Sequence, residues 1–66
     1  MLTSNIKSIM KERKVTIRAM VADTGLSGDT ISRARNAAQI SMCSLGTLEI
    51  MAKYLGCKIK DLFDEE

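Results

Sequence analysis

The chain has 66 residues, of which 45% are hydrophobic and 27% charged, with a formal net charge of +2 and no proline or histidine. Those values exclude a disordered tail, and they suit one small folded unit near the lower limit for folding without disulfides, metals or a partner. No apolar run approaches the ~20 residues of a membrane span, and "MLTSNIKSIMKERK" meets charge too early for the apolar region of a signal peptide. The expectation is therefore a complete cytoplasmic chain, with residues 1–66 forming a single domain.

Cys43 and Cys57 are the only cysteines. Two thiols without a histidine do not complete a four-ligand zinc site, and in a reducing compartment they are expected as small hydrophobes. No metal and no cofactor is expected. Charge is unevenly spread. Residues 1–60 hold all ten basic residues against Glu12, Asp23, Asp29 and Glu49, a net of +6, while Asp61, Asp64, Glu65 and Glu66 close the chain. A basic body with an acidic end suits a polyanion-facing surface turned away from the C-terminus, and equally a small domain kept soluble by lysines.

With one Phe and one Tyr, the core must come from Ile, Leu, Val, Met and Ala, a palette that suits helices. Ile6, Ile9 and Met10 fall at helical spacing in the first segment, with Thr3 or Ser4 as its cap. Val15 and Thr16 lead into a second helix opening at Ile17, with Met20, Val21 and Thr24 inward and Gly25 as the left-handed residue that ends it. Leu26 is the apolar residue of the turn, and Ser27 caps a third helix with Ile31, Ala34 and Ala38 as its buried stripe. "AAQISMC" is expected as a loop, or as an extension of the third helix through its alanines. Ser44 caps a fourth helix whose face is Leu45, Leu48, Met51, Ala52 and Leu55, ending at Gly56. A last short turn in "KIKDLF" tucks in Ile59, Leu62 and Phe63. The expected fold is all-α, a compact arrangement of five short helices.

Within it, Val21, Gly25, Leu26, Ile31 and Ala34 place a turn glycine four residues after a buried helix position, then two apolar residues that lock the next helix across the first. This is the helix-turn-helix spacing, in which one helix lies along the DNA backbone and the next enters the major groove. At this point the sequence resembles the Cro/repressor-type helix-turn-helix family, the phage-repressor-like, xenobiotic response element class of transcription regulators. "IKSIMKERKVT" is similar to the family's first helix and its lead into the second, "GLSGDTISRARN" to its turn and recognition helix, and "SLGTLEIMAKYLGCKIKDLF" to its fourth and fifth helices. The three pieces stand in order at the right separations and cover almost the whole chain. The resemblance implies a lambda-repressor-like five-helix DNA-binding domain, a repressor of phage or mobile-element type, acting as a homodimer at least on DNA. Its operator would be a short palindrome with half-sites about one helical turn apart. The sequence departs from the family where Ile17 stands in place of a frequent phosphate-touching glutamine, where Val21 replaces a small residue, and in the longer connection through 37–43.

On the recognition helix, Arg33 is the first candidate base reader, since an arginine pairs in bidentate fashion with guanine. Ser32 shares its face and permits close approach. Asp29 suits the first turn of any helix, and as a reader it would accept from cytosine N4. Gly28 costs ~0.5–1 kcal/mol against alanine in a helix, and its bare backbone allows a close approach to DNA. Arg18, Asn36, Arg35, Lys14, Arg13 and Ser27 are the candidates for the DNA backbone, with a solvated role open for each. Dimerisation through Leu62, Phe63 and Met51, or through the first helix, stays open. The alternative to a DNA-binding regulator is a protein-interaction module on the same fold, antirepressor-like or antitoxin-like. An enzyme is not expected: there is no histidine, no metal set and no phosphate-cradling glycine loop. No membrane and no small-molecule ligand is expected as a partner.

Overall fold

In the computed structural model, which describes residues 2–65, a strand β1 (Leu2–Ser4) precedes three short helices, α1 (Ile6–Glu12), α2 (Ile17–Thr24) and α3 (Gly28–Ala34). A 3-10 turn at Ile40–Met42 leads into the longest helix, α4 (Leu45–Leu55). A second 3-10 turn at Ile59–Asp61 leads into a strand β2 (Phe63–Glu65). The helix-turn-helix of the sequence is thus α2 and α3, joined by Gly25, Leu26 and Ser27.

Helix starts follow the hydroxyl caps. The side chains of Thr16, Ser27 and Ser44 accept from the backbone N–H groups of Ala19, Thr30 and Thr47 at 3.0, 3.1 and 3.1 Å. Each cap satisfies one of the amides a helix start leaves unpaired. Gly25 ends α2 at φ +79°, its N–H donating to the Val21 carbonyl at 3.1 Å. That left-handed geometry is the reason for glycine there. The Thr24 hydroxyl braces the same turn, donating to the Met20 carbonyl at 2.6 Å and accepting from the Leu26 amide at 3.2 Å.

Every helix sends side chains to one core. Ile6 and Met10 come from α1, Met20 from α2, and Ile31 and Ala34 from α3. α4 supplies Leu48, Met51, Ala52 and Leu55, and Ile40 and Leu62 plug the gaps from the turns. Ala34 has no exposed surface, as expected for a small residue where helices pack closely.

Four expectations need correction. The fold has four α-helices, not five, and the expected last helix is a single 3-10 turn followed by β2. β2 pairs antiparallel with β1, in register Leu2↔Glu65, Thr3↔Asp64 and Ser4↔Phe63. Three-residue strands about sixty positions apart give no periodic signal, so local reading made one a helix cap and the other a helix end. Consequently Thr3 does not cap α1, and Ser4, one residue ahead of the cap position, contributes only a long bond, its hydroxyl accepting from the Ile6 amide at 3.4 Å. Asn5 holds the cap position, its N–H bonded to the Leu62 carbonyl at 2.8 Å and its carboxamide to Asp64 at 2.9 Å. Ala38 and Leu45 are exposed, Leu45 by 69%, because α3 stops at Ala34 and Leu45 is the first residue of α4, ahead of its buried stripe. Finally, Met51 and Leu62 are fully buried and Phe63 half-buried, so the first two belong to the core and not to a dimer surface.

Lys14, a candidate for the DNA backbone, has a left-handed conformation that its residue type does not signal. α1 and α4 end with the same pair of bonds: Val15 to Met10 and Lys14 to Lys11 in one, Cys57 to Ala52 and Gly56 to Lys53 in the other. The left-handed position of this motif is Gly56 in α4 (φ +74°) but Lys14 in α1 (φ +57°). A side chain there costs about 1–2 kcal/mol against the right-handed region, partly offset by the smaller entropy lysine loses on folding. Lys14→Gly should therefore raise stability by roughly 0.5–1 kcal/mol, read as an upward shift of the denaturation midpoint.

α4 is fastened to α2 by the Tyr54 hydroxyl, which donates to the Asp23 carboxylate at 2.6 Å. That bond, followed by burial and the charge of Asp23, raises the phenol above its ordinary value of 10.0. The protonated phenol is the stabilising form, so its contribution is whole below pH 10 and is lost as pH rises through the raised value. Tyr54→Phe should lower the thermal midpoint at neutral pH and remove this share of the alkaline loss, which a melting series from pH 8 to 12 would show.

Candidate nucleic-acid interface

Helix α3 turns two faces outward from one anchor. Ile31 and Ala34 lie in the core, leaving Asp29, Ser32 and Arg33 exposed on the other side and Gly28 half-buried at the start. Asp29 in the first turn and Arg33 in the last both suit the helix dipole, and together they put an acid at the leading end and a guanidinium one turn on. A methyl group built at Gly28 would meet no heavy atom within 4 Å, so the fold leaves open space there. The glycine is not required by packing.

The six backbone candidates do not form one group. Ser27 is occupied by its cap, its hydroxyl also lying 2.8 Å from that of Thr30. Asn36 follows the end of α3 and turns its carboxamide oxygen back on the chain, accepting from the Ala38 amide at 2.8 Å. Its amide N–H2 stays at the surface. Arg18 is exposed in the first turn of α2, and Lys14 is exposed at the strained turn before it. Arg13 leans toward the far end of α4, with its Nη1 3.5 Å from where a methyl group on Gly56 would sit. There it favours the Cys57 thiolate, but burial, with Asp61 behind it, outweighs that and holds the thiol above its usual range. Arg35 is half-buried, and its Nε is sealed from solvent with no hydrogen-bond partner.

The loop through 37–43 is held from both ends. Ile40 is 1% exposed, and its N–H donates to the Asn36 carbonyl at 2.9 Å, while Ala37 and Ala38 stay exposed. The alanines thus belong to the loop and do not extend α3.

A short capped helix, crossed by a partner through a glycine turn, with its polar face free, is the geometry of a helix that enters the major groove. The sequence pattern of the Cro/C1-type HTH DNA-binding domain matches residues 5–66, all but the first four positions. The chain belongs to this Cro/C1-type family. Searches of curated proteins and of solved structures return no match. The Cro/C1-type domain is a DNA-binding module, and α2 and α3 form its helix-turn-helix. Among the described residues no helix is long and apolar enough to cross a membrane, and no group of three or more metal-ligating side chains occurs.

Two residues outside the motif join the set of cations that face outward. Lys7 and Lys11 stand on the exposed side of α1 and share a cleft with Arg35. Their spacing of four along a helix is the signal that was available, but only the fold brings the C-terminal end of α3 beside them.

Because nothing crowds Gly28, Gly28→Ala should raise stability by up to about 0.5–1 kcal/mol. Melting and duplex binding measured on the same variant separate two roles. A more stable protein that binds DNA less well has lost a close backbone approach, and one with unchanged binding had a glycine of no functional consequence.

Proposed function

We propose that this Cro/C1-type domain is a sequence-specific transcriptional regulator, a repressor of phage or mobile-element type. In this reading residues 1–66 act as one DNA-binding domain and bind a palindromic operator as a dimer. The observation that carries the reading is the exposed face of α3, with Asp29, Ser32 and Arg33 outward, opposite the buried Ile31 and Ala34. Arg33 reads a guanine, Ser32 allows the approach, Asp29 selects against phosphate-rich misalignment and accepts from cytosine, and Gly28 keeps the leading end thin. Arg18, Lys14 and Arg35 hold the backbone, with a smaller share for Asn36 and Arg13, and Ser27 contributes through its cap.

Binding by one copy is expected to be modest, since one short helix carries one acid and one arginine on its reading face. A second copy on the same operator doubles the contacts without new chemistry. Met42 and Leu45 are the large apolar side chains most exposed among the described residues, at 79% and 69%, and they replace the buried Met51 and Leu62 as candidates for contact between copies.

The test is selection of bound duplexes from a randomised pool at moderate salt. A two-fold symmetric motif supports both sequence reading and dimeric binding, and recovery of nothing above background would favour a protein partner for the same face. Arg33→Ala should cost ~1–3 kcal/mol of binding and relax one operator position, measured by titration against the selected duplex and its single-base variants. Unchanged affinity and preference would remove Arg33 from the reading set.

A further inference from the structure

The last turn of α3 depends on a hydroxyl from the other end of the chain. A helix end leaves carbonyls without intrahelical partners, and these need donors from elsewhere. At the end of α3 the Ile31 carbonyl accepts from the Arg35 amide and the Arg33 carbonyl from the Asn36 amide, both at 3.1 Å. The Ala34 carbonyl accepts from the Ser4 hydroxyl at 2.6 Å, across 30 positions of sequence. Ala34 is 0% exposed, so water does not reach that carbonyl, and the Ser4 hydroxyl is the donor that meets it.

Ser4 is itself held from two sides. It stands in β1 opposite Phe63, and the next residue, Asn5, donates its amide to the Leu62 carbonyl at 2.8 Å. The same hydroxyl oxygen accepts from the Ile6 amide at 3.4 Å, so one atom lies between the first amide of α1 and the last carbonyl of α3. β1 also packs on the 3-10 turn at Ile40–Met42, where the loop leaving α3 is next anchored. Arg33 directly precedes Ala34, and its side chain is exposed. The direction of a helical side chain follows its own backbone, so a last turn held helical keeps the Arg33 guanidinium on one line. A bidentate pair with guanine tolerates little error in that line. Asp29, in the first turn, is secured separately by the Ser27 cap.

We infer that Ser4 is a positioning residue for base discrimination, holding the last turn of α3 so that Arg33 meets its base pair in one geometry. The inference rests on the reading of Arg33 as a guanine reader and extends it to a residue outside the helix-turn-helix that acts through α3. Without the hydroxyl, the Ala34 carbonyl gains a donor only by turning toward solvent. That rotates the Ala34–Arg35 peptide and loosens the turn that carries Arg33. A guanidinium spread over several directions still attracts DNA, but it separates one base pair from another less well. The attraction common to all duplexes comes from charge, which a neutral substitution at Ser4 leaves unchanged.

The experiment titrates the full chain with the selected duplex and with the duplex exchanged at the base pair that Arg33→Ala relaxes, and takes the ratio of the two affinities. Ser4→Ala, at a temperature where melting shows it folded, is expected to lower that ratio about five-fold with the salt slope of binding unchanged. In the Arg33→Ala background Ser4→Ala should not change the ratio, since a residue acting through Arg33 then has nothing to position. Tyr54→Phe, which loosens the bond between α2 and α4, is the control for stability and should keep the parent ratio. Ser4→Thr retains a hydroxyl on a residue suited to strands, and it should hold the ratio near the parent value, which keeps the test open if Ser4→Ala does not fold. A parent-like ratio in folded Ser4→Ala, or a ratio lost in folded Ser4→Thr, overturns the positioning role and leaves Arg33 as the reader. A ratio lowered equally in Tyr54→Phe makes the effect one of stability and also overturns it. If Arg33→Ala relaxes no base pair, the guanine reading fails, and the role of Ser4 falls with it.

Discussion

Everything proposed for this protein depends on a helix that cannot stand alone. α3 has seven residues, fewer than the ~12–15 at which even favourable sequences become marginally helical in water. It holds its shape because Ile31 and Ala34 are fully buried, because Ser27 caps its first turn, and because the Ser4 hydroxyl donates to the Ala34 carbonyl at 2.6 Å. Two side chains fix its roll about its own axis. Once that roll is fixed, Asp29, Ser32 and Arg33 have no choice but to face outward, and the reading face is a by-product of the core.

The short sheet belongs to the same logic. A pair of three-residue strands is not stable by itself, and these two stand only because both flank the helical core. In return they bring the N-terminal segment over the end of α3, where Ser4 completes the cap, and tie Asn5 to Leu62 and Asp64. The acidic end of the chain is thereby held at Asp64 and Glu65 on the strand. The cations of α3 and of the cleft stand on other elements.

Strain and unpaired charge fall near the same edge of the molecule. Lys14 occupies a left-handed position that glycine fills in the equivalent motif of α4, and Arg35 keeps a buried N–H without an acceptor. Both lie near the start of α2, Lys14 two positions before Thr16 and Arg35 in the cleft that Thr16 and Ile17 line. A fold selected for stability alone would have a glycine at one and an acceptor, or an apolar side chain, at the other. Departures from local consistency gather at functional surfaces, and these two fit that pattern.

Much of the fold is legible in the sequence. Thr16, Ser27, Ser44, Gly25 and Gly56 act as the sequence indicates, because hydroxyl caps and left-handed glycines depend on a few adjacent residues. Ile31, Leu48, Met51 and Leu55 are buried as their spacing requires, since a helix periodicity of 3.6 is a property of the chain itself. The family, too, was written in the order and separation of three segments. What failed was whatever depended on distant partners or on a helix end. Ala38 and Leu45 obeyed the period but fell outside the stretch that the core covers. The strands could not be found because each is explained only by the other. Lys7, Lys11 and Arg35 line one cleft although Arg35 stands 24 or more positions further along the chain, a proximity that no local pattern encodes. The sequence by itself determined the helices, their caps and the face of α3 that meets solvent, since these follow from steric and hydrogen-bonding rules acting over a turn or two. Only the tertiary structure decided the sheet, the buried status of Leu62 and the gathering of three cations, because those require parts of the chain to be brought together by the burial of a shared core.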